Sequence, residues 1–117
     1  MKVVYIAGPY TGANEWETHG NIMLAEDRAS RLWLAGIAAV CPHKNTAWMG
    51  GLVPYERFIE GDLAILRRCD AVLTCPGWRD SNGAQMEVQA ARDRGMPIFH
   101  SVEEAVRGLI GAAASAP

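Results

Sequence analysis

The sequence predicts an α/β domain in which a parallel sheet of four to five strands lies between two layers of helices. Three observations carry this. Short apolar, β-branched runs alternate along the chain with segments whose apolar residues recur in steps of three and four. Three of the runs close on clusters of turn residues, "GPYTG", "CPHKN" and "CPGWRDSNG". Strands that alternate with helical patterns form βαβ units, whose right-handed crossovers cover both faces of a parallel sheet.

Residues 2–7, "KVVYIA", read as a buried first strand. From about Glu15 to Ala35 the positions Ile22, Ala25, Ala29, Leu32 and Trp33 make the stripe of an amphipathic helix, stopped by Gly36. "IAAVCP" is a second strand, and "HKNTAWMGGLVP" a loop longer than a mere connection needs. Pro54 stands where a helix begins, with Tyr55, Phe58, Ile59, Leu63 and Leu66 as its inward stripe. "DAVLTC" is the third strand. A helix starting near Asn82 and ended by Gly95 follows, then the strand "PIFH". "SVEEAVRGLI" makes the last helix, with Ser101 as cap and Glu104 completing a capping box. Residues 1–111 thus read as one domain and 112–117 as a flexible, small-residue tail.

The chain has 117 residues, half of them hydrophobic, which suits one domain with an ordinary core. Its formal charge of −2 leaves no basic surplus to neutralise a phosphate backbone, so a nucleic-acid polymer is not an expected partner. The apolar start "MKVVYIAG" is too short for a signal core or a membrane span, so the expected location is the cytoplasm, away from membrane. Three cysteines, Cys41, Cys69 and Cys75, without C-x-x-C spacing, argue for buried thiols over a disulfide framework or a zinc knuckle.

Two carboxylates fall on inward faces. Glu87 shares the small apolar stripe of Ala84, Val88 and Ala91, and Asp62 stands between Phe58, Ile59 and Leu66 on the preceding helix. Acids in apolar surroundings are costly unless paired, hydrogen-bonded or used. Each is either a structural acid, bonded to backbone or to Arg67, Arg68 or Arg92, or part of a site. Glu87 lies within a turn and a half of its helix start, where the macrodipole favours the ionised form. Asp62 lacks that help, so its pKa is expected to be the higher. A nucleophile beside an acid is what retaining glycosyl transfer requires.

Other signals are weaker. Gly8, Pro9 and Tyr10 in "GPYTG" match neither a dinucleotide fingerprint nor a Walker loop, and read alone they are a turn. Ser81, Asn82 and Gly83 open a helix whose N–H groups suit either a cap or an anion such as a monophosphate. His43 and His19 lack partners at metal spacing, so no metal is expected. Trp16, Trp48 and Trp78 fall in or near rim loops, where a planar base could stack.

Together "YIAGPYTG", the "PHKN" loop, "GDLAILRRCDAVL", "PGWRDSNGAQMEVQAA" and "GMPIF" resemble the nucleoside 2-deoxyribosyltransferase superfamily, in particular its small branch similar to 2'-deoxynucleoside 5'-monophosphate N-glycosidases. The resemblance runs from about residue 3 to 100. It implies a flavodoxin-like or Rossmann-like three-layer sandwich, with Glu87 as the nucleophile that attacks the anomeric carbon. Asp62 in "GDL" is then the acid, Tyr5 the tyrosine of the first strand, and Ser81 the serine that contacts phosphate. Pro9 departs from the pattern, standing where nucleotide-cleaving relatives have a second serine. Gly8, Pro9, Tyr10, His43, Trp78, Ser81, Asn82 and Gly83 are the expected substrate-binding set.

The expected function is cleavage or transfer of the N-glycosidic bond of a 2'-deoxyribonucleoside or its 5'-monophosphate through a covalent glycosyl-Glu87 intermediate, with no cofactor. The alternative is a non-catalytic nucleotide-binding or sensing module. A flavin carrier is disfavoured, because "GPYTGAN" lacks a Ser/Thr-rich phosphate cradle. The rim of so small a domain covers only part of a nucleoside, and a homodimer or higher homo-oligomer is therefore expected. Trp33, Trp48, Met49 and Leu52 are candidates for the contact, with Trp33 equally a candidate for the core.

Overall fold

The computed structural model describes residues 1–111; the tail expected at 112–117 lies outside the described residues. Four strands, β1 (Val3–Ala7), β2 (Ala38–Val40), β3 (Ala71–Thr74) and β4 (Ile98–Phe99), pair in the order β2-β1-β3-β4, and every pair is parallel. Helix α1 (Glu15–Leu34) joins β1 to β2, and α4 (Asn82–Asp93) joins β3 to β4. Between β2 and β3 lie a short helix, α2 (Pro42–Asn45), and α3 (Tyr55–Leu66); α5 (Val102–Leu109) follows β4. This is the expected flavodoxin-like, three-layer arrangement, with four strands. None of the described helices is long and apolar enough to cross a membrane.

Alternation along the strands sorts the core into two layers. Val4, Ile6, Ala71 and Leu73 point to one face, where Ala25 and Leu32 of α1 and Ala105 of α5 cover them. Tyr5, Ala7 and Val72 point to the other, under Leu66 of α3 and Ala84, Val88 and Ala91 of α4. Small residues on α4 let that helix approach the sheet closely. Both α1 and α4 end where the sequence shows glycine. Gly36 and Gly95 adopt left-handed backbone (φ 85° and 68°). In each case the residue after the glycine donates back into the helix, Ile37 N–H to Leu32 O and Met96 N–H to Ala91 O, both at 3.0 Å.

Three local expectations change. The long loop after β2 holds α2, started by Pro42 in the first helical position, where its missing N–H is harmless. The Ser101 hydroxyl caps α5 by accepting from Glu104 N–H at 3.1 Å, but the Glu104 carboxylate accepts from His100 N–H, one residue before the usual reciprocal partner. Burial along α3 declines toward its start: Leu66 is buried, Phe58, Ile59 and Leu63 are half-buried, and Tyr55 is 67 % exposed. The stripe therefore loses its cover as the helix rises past the sheet. Trp33 is exposed, as are Trp48, Met49 and Leu52.

Leu66 is the fully buried anchor of α3 on the sheet. Leu66→Ala should destabilise the fold by about 2–5 kcal/mol, read from urea unfolding midpoints. A loss below about 1 kcal/mol would mean that α3 does not depend on this anchor.

Candidate active site

The order β2-β1-β3-β4 places a topological switch point between β1 and β3, since the crossovers leave those two strands in opposite directions. A crevice outside their carboxyl ends is where open α/β sheets bind ligands. The loops from these ends meet closely. A Cβ added at Gly8 would lie 2.6 Å from Cys75 Cβ, so only glycine lets the loop after β1 pass the end of β3. Pro9 lies against Gly77. His43, on α2, ties the same loop down through Nε2, 2.8 Å from the Pro9 carbonyl oxygen. A carbonyl only accepts, so Nε2 carries the proton, and burial lowers the pKa of His43, keeping the ring neutral. Tyr10 meets the His43 ring edge-on, with centroids 5.1 Å apart.

Beneath this rim Tyr5, central in β1, is fully buried and donates its hydroxyl hydrogen to Glu87 Oε2. The bond forms because alternation turns Tyr5 toward α4, and because Ser81 sets where α4 begins. Its hydroxyl accepts from Ala84 N–H at 3.3 Å, which puts Glu87 on the inward face of the second turn. Asp62 of α3 is half-buried and close enough to Glu87 and Tyr5 for its charge to act on both. Tyr5, Asp62 and Glu87, far apart in sequence, are thus brought together.

Their electrostatics reverse one expectation. Burial pushes the Glu87 carboxyl up to about 8; the Tyr5 hydrogen bond works against this, and the Asp62 charge adds to it. Burial raises Asp62 to about 6. Glu87, not Asp62, therefore has the higher pKa. The field of a helix N-terminus fades within the first turn, whereas loss of water acts on a carboxyl held against the sheet wherever it lies on its helix. Tyr5 is raised well above its ordinary value, first by burial and then by Glu87, and stays a neutral donor.

The remaining candidates divide. Gly83 is half-buried and Asn82 exposed in the first turn of α4, and Gly83 precedes Glu87 by four residues, on the same face. Trp78 is 8 % exposed and packs under the rim in the apolar layer that holds Tyr5, Ala84 and Val88. Trp16 and Trp48 stand in the open. Tyr55 was absent from the candidate set, yet its hydroxyl lies 3.8 Å from where a Cβ on Gly83 would be, at the mouth of the site. Its seven-residue spacing from Asp62, two helical turns on one face, was the available signal. Among the described residues no three His, Cys, Asp or Glu side chains stand together as a metal site would need.

The raised pKa of Glu87 links the site to stability. From its ordinary value of 4.5 up to about 8 the unfolded chain carries a charge that the folded chain does not, so stability should fall as pH rises through that window. Asp62 acts in the same direction between 3.8 and about 6. Glu87→Gln should flatten the part of the curve between about 6 and about 8, seen in urea midpoints across pH. An unchanged slope would show that Glu87 is not desolvated in the folded protein.

The fold is similar to that of the 2-deoxyribosyltransferase from the psychrotolerant bacterium Bacillus psychrosaccharolyticus, with a TM-score of 0.60 and 20 % sequence identity. The match covers 82 % of this chain and 69 % of that one. At that identity the likeness is one of fold. No curated protein matches the sequence. A family model does match, over residues 2–100, and the chain belongs to that family, the domain of unknown function DUF4406.

Proposed function

We propose that the protein cleaves or transfers the N-glycosidic bond of a 2'-deoxyribonucleoside or its 5'-monophosphate. The observation that carries this reading is the part-buried Tyr5–Glu87 hydrogen bond at the switch point, with Asp62 close enough for its charge to act on both. The fold is shared with a 2-deoxyribosyltransferase described as a biocatalyst for the synthesis of nucleosides, which supports the reading.

In the first step a Glu87 carboxylate oxygen attacks C1' of the sugar. The C1'–N bond breaks, its electron pair leaves with the base, and the base takes the proton of the Asp62 carboxylic acid. Tyr5 holds the carboxylate by donating to Oε2, which leaves Oε1 as the attacking oxygen. In the second step water, or the nitrogen of a second base, attacks C1' from the vacated side, the C1'–Glu87 bond breaks, and Asp62 takes back a proton. Glu87 must be ionised and Asp62 protonated for the first step. With Glu87 raised above Asp62, that combination is the minor one of the two singly ionised forms.

A bell-shaped dependence of kcat/KM on pH, with limbs near 6 and 8, is therefore expected. Deoxynucleosides and their monophosphates incubated with the protein should release free base, followed by chromatography, with or without an added acceptor base. Glu87→Gln should lower turnover by about a thousandfold or more. Binding without any base release by the parent protein would instead assign a non-catalytic nucleotide-binding module.

We further infer a homodimer or higher oligomer. Trp48 is fully exposed on left-handed backbone (φ 68°), a conformation that costs a non-glycine residue about 1–2 kcal/mol, and Met49, Leu52 and Tyr55 are exposed along the same stretch. Tyr55 stands at the mouth of the site, so a partner seated on this stretch would help to enclose a substrate. Light scattering at micromolar protein should give at least twice the 12.7 kDa chain mass. A mass of one chain would remove the shared enclosure.

A further inference from the structure

On the far side of Trp78 a cleft of about 510 Å³ opens at the carboxyl ends of β3 and β4, lined by Arg28, Thr74, Trp78, Arg79, Asp80 and His100 among others. Neither Tyr5, Asp62 nor Glu87 lines it. Its volume is in the range of small-molecule pockets. Two guanidinium groups face one carboxylate there, and among the described residues neither Arg28 nor Arg79 is within ion-pair distance of an acid. The contrast with Arg31 is direct: three residues after Arg28, it is paired with Glu103 at 2.5 Å.

The wall is fixed. The buried Thr74 hydroxyl holds His100 Nδ1 at 2.7 Å, and the His100 ring lies nearly parallel to Trp78, 13° apart in plane with centroids at 6.0 Å. Arg79 lies over the Trp78 ring at 4.6 Å, and Arg28 donates a long hydrogen bond, 3.4 Å, to the His100 carbonyl oxygen. These contacts position both guanidiniums outside any ion pair, while the Arg28 charge still acts on the Glu103 carboxyl and Asp80 shares the cleft. One arginine satisfies a planar carboxylate with two parallel bonds, whereas two arginines from different elements, with an imidazole in the same lining, suit a tetrahedral oxyanion.

We propose that this cleft binds a phosphate group, carried by inorganic phosphate or by a nucleoside monophosphate. The proposal stands apart from the reaction assigned to Glu87. It is tested by a ¹H–¹⁵N NMR titration with sodium phosphate, against sodium chloride at matched ionic strength. Saturable shifts in residues 74–80 and at His100, in the millimolar range or below, are expected for the parent protein and equally for Glu87→Gln. Arg28→Gln and Arg79→Gln should each weaken the response about tenfold, and Arg28→Gln should leave base release in phosphate-free buffer within about twofold. In the Glu87→Gln background, a purine nucleoside 5'-monophosphate that binds about tenfold tighter than phosphate assigns a nucleotide site with the base on the Trp78–His100 wall; equal affinity assigns the phosphate group alone. No saturable shift beyond chloride, a response unchanged in both arginine variants, or one lost in Glu87→Gln would overturn the proposal.

Discussion

The hydrogen bond from Tyr5 to Glu87 is the contact on which the arrangement of the site depends. It joins an inner strand to the helix packed over it; Tyr5 is fully buried and Glu87 half-buried, with its carboxyl largely desolvated. A buried carboxyl is tolerated only where a donor meets it. Tyr5 meets that need because its place in β1 turns its side chain toward α4. The small residues Ala84 and Ala91 matter to the same end, since they bring α4 close enough for a glutamate to reach the strand. The bond favours an ionised Glu87 while the loss of water disfavours it, and the loss of water prevails. The result is a carboxyl whose pKa lies near neutrality, well above that of an ordinary glutamate.

Above that bond the rim is held rigid by close backbone approach. Gly8 against Cys75 and Pro9 against Gly77 bring the loops after β1 and β3 into contact, and His43 reaches over from α2 to hold the first of them. Trp78 then divides the carboxyl ends of the sheet into two regions of opposite character. On one side lie the acids Glu87 and Asp62 with the Tyr5 hydroxyl. On the other lie Arg28, Arg79 and His100 around an open cleft. The raised pKa values of the two acids come first from their own burial.

Much of this was legible in the residues themselves. The period of apolar positions marked α1, α3 and α4 and the inward faces of Glu87 and Asp62, a capping pattern marked α5, and glycine and serine marked where helices stop and start. Such signals are local: a stripe or a cap is a property of neighbours along the chain. The short helix α2 escaped notice because four residues are too few to show a period. Tyr55 was misplaced because periodicity shows which face of a helix turns inward but not how far along its length the sheet continues beneath it.

The sequence by itself thus determined the order of elements, the parallel sheet and the two inward acids, because each follows from backbone geometry and spacing. Tertiary structure alone decided that Tyr5 reaches Glu87, that Glu87 outranks Asp62 in pKa, and that Trp78 packs under the rim rather than standing open. Those outcomes depend on which atoms exclude water from which groups. That exclusion is set by residues 82 positions apart in the chain, as Tyr5 and Glu87 are, and no window of neighbours contains it.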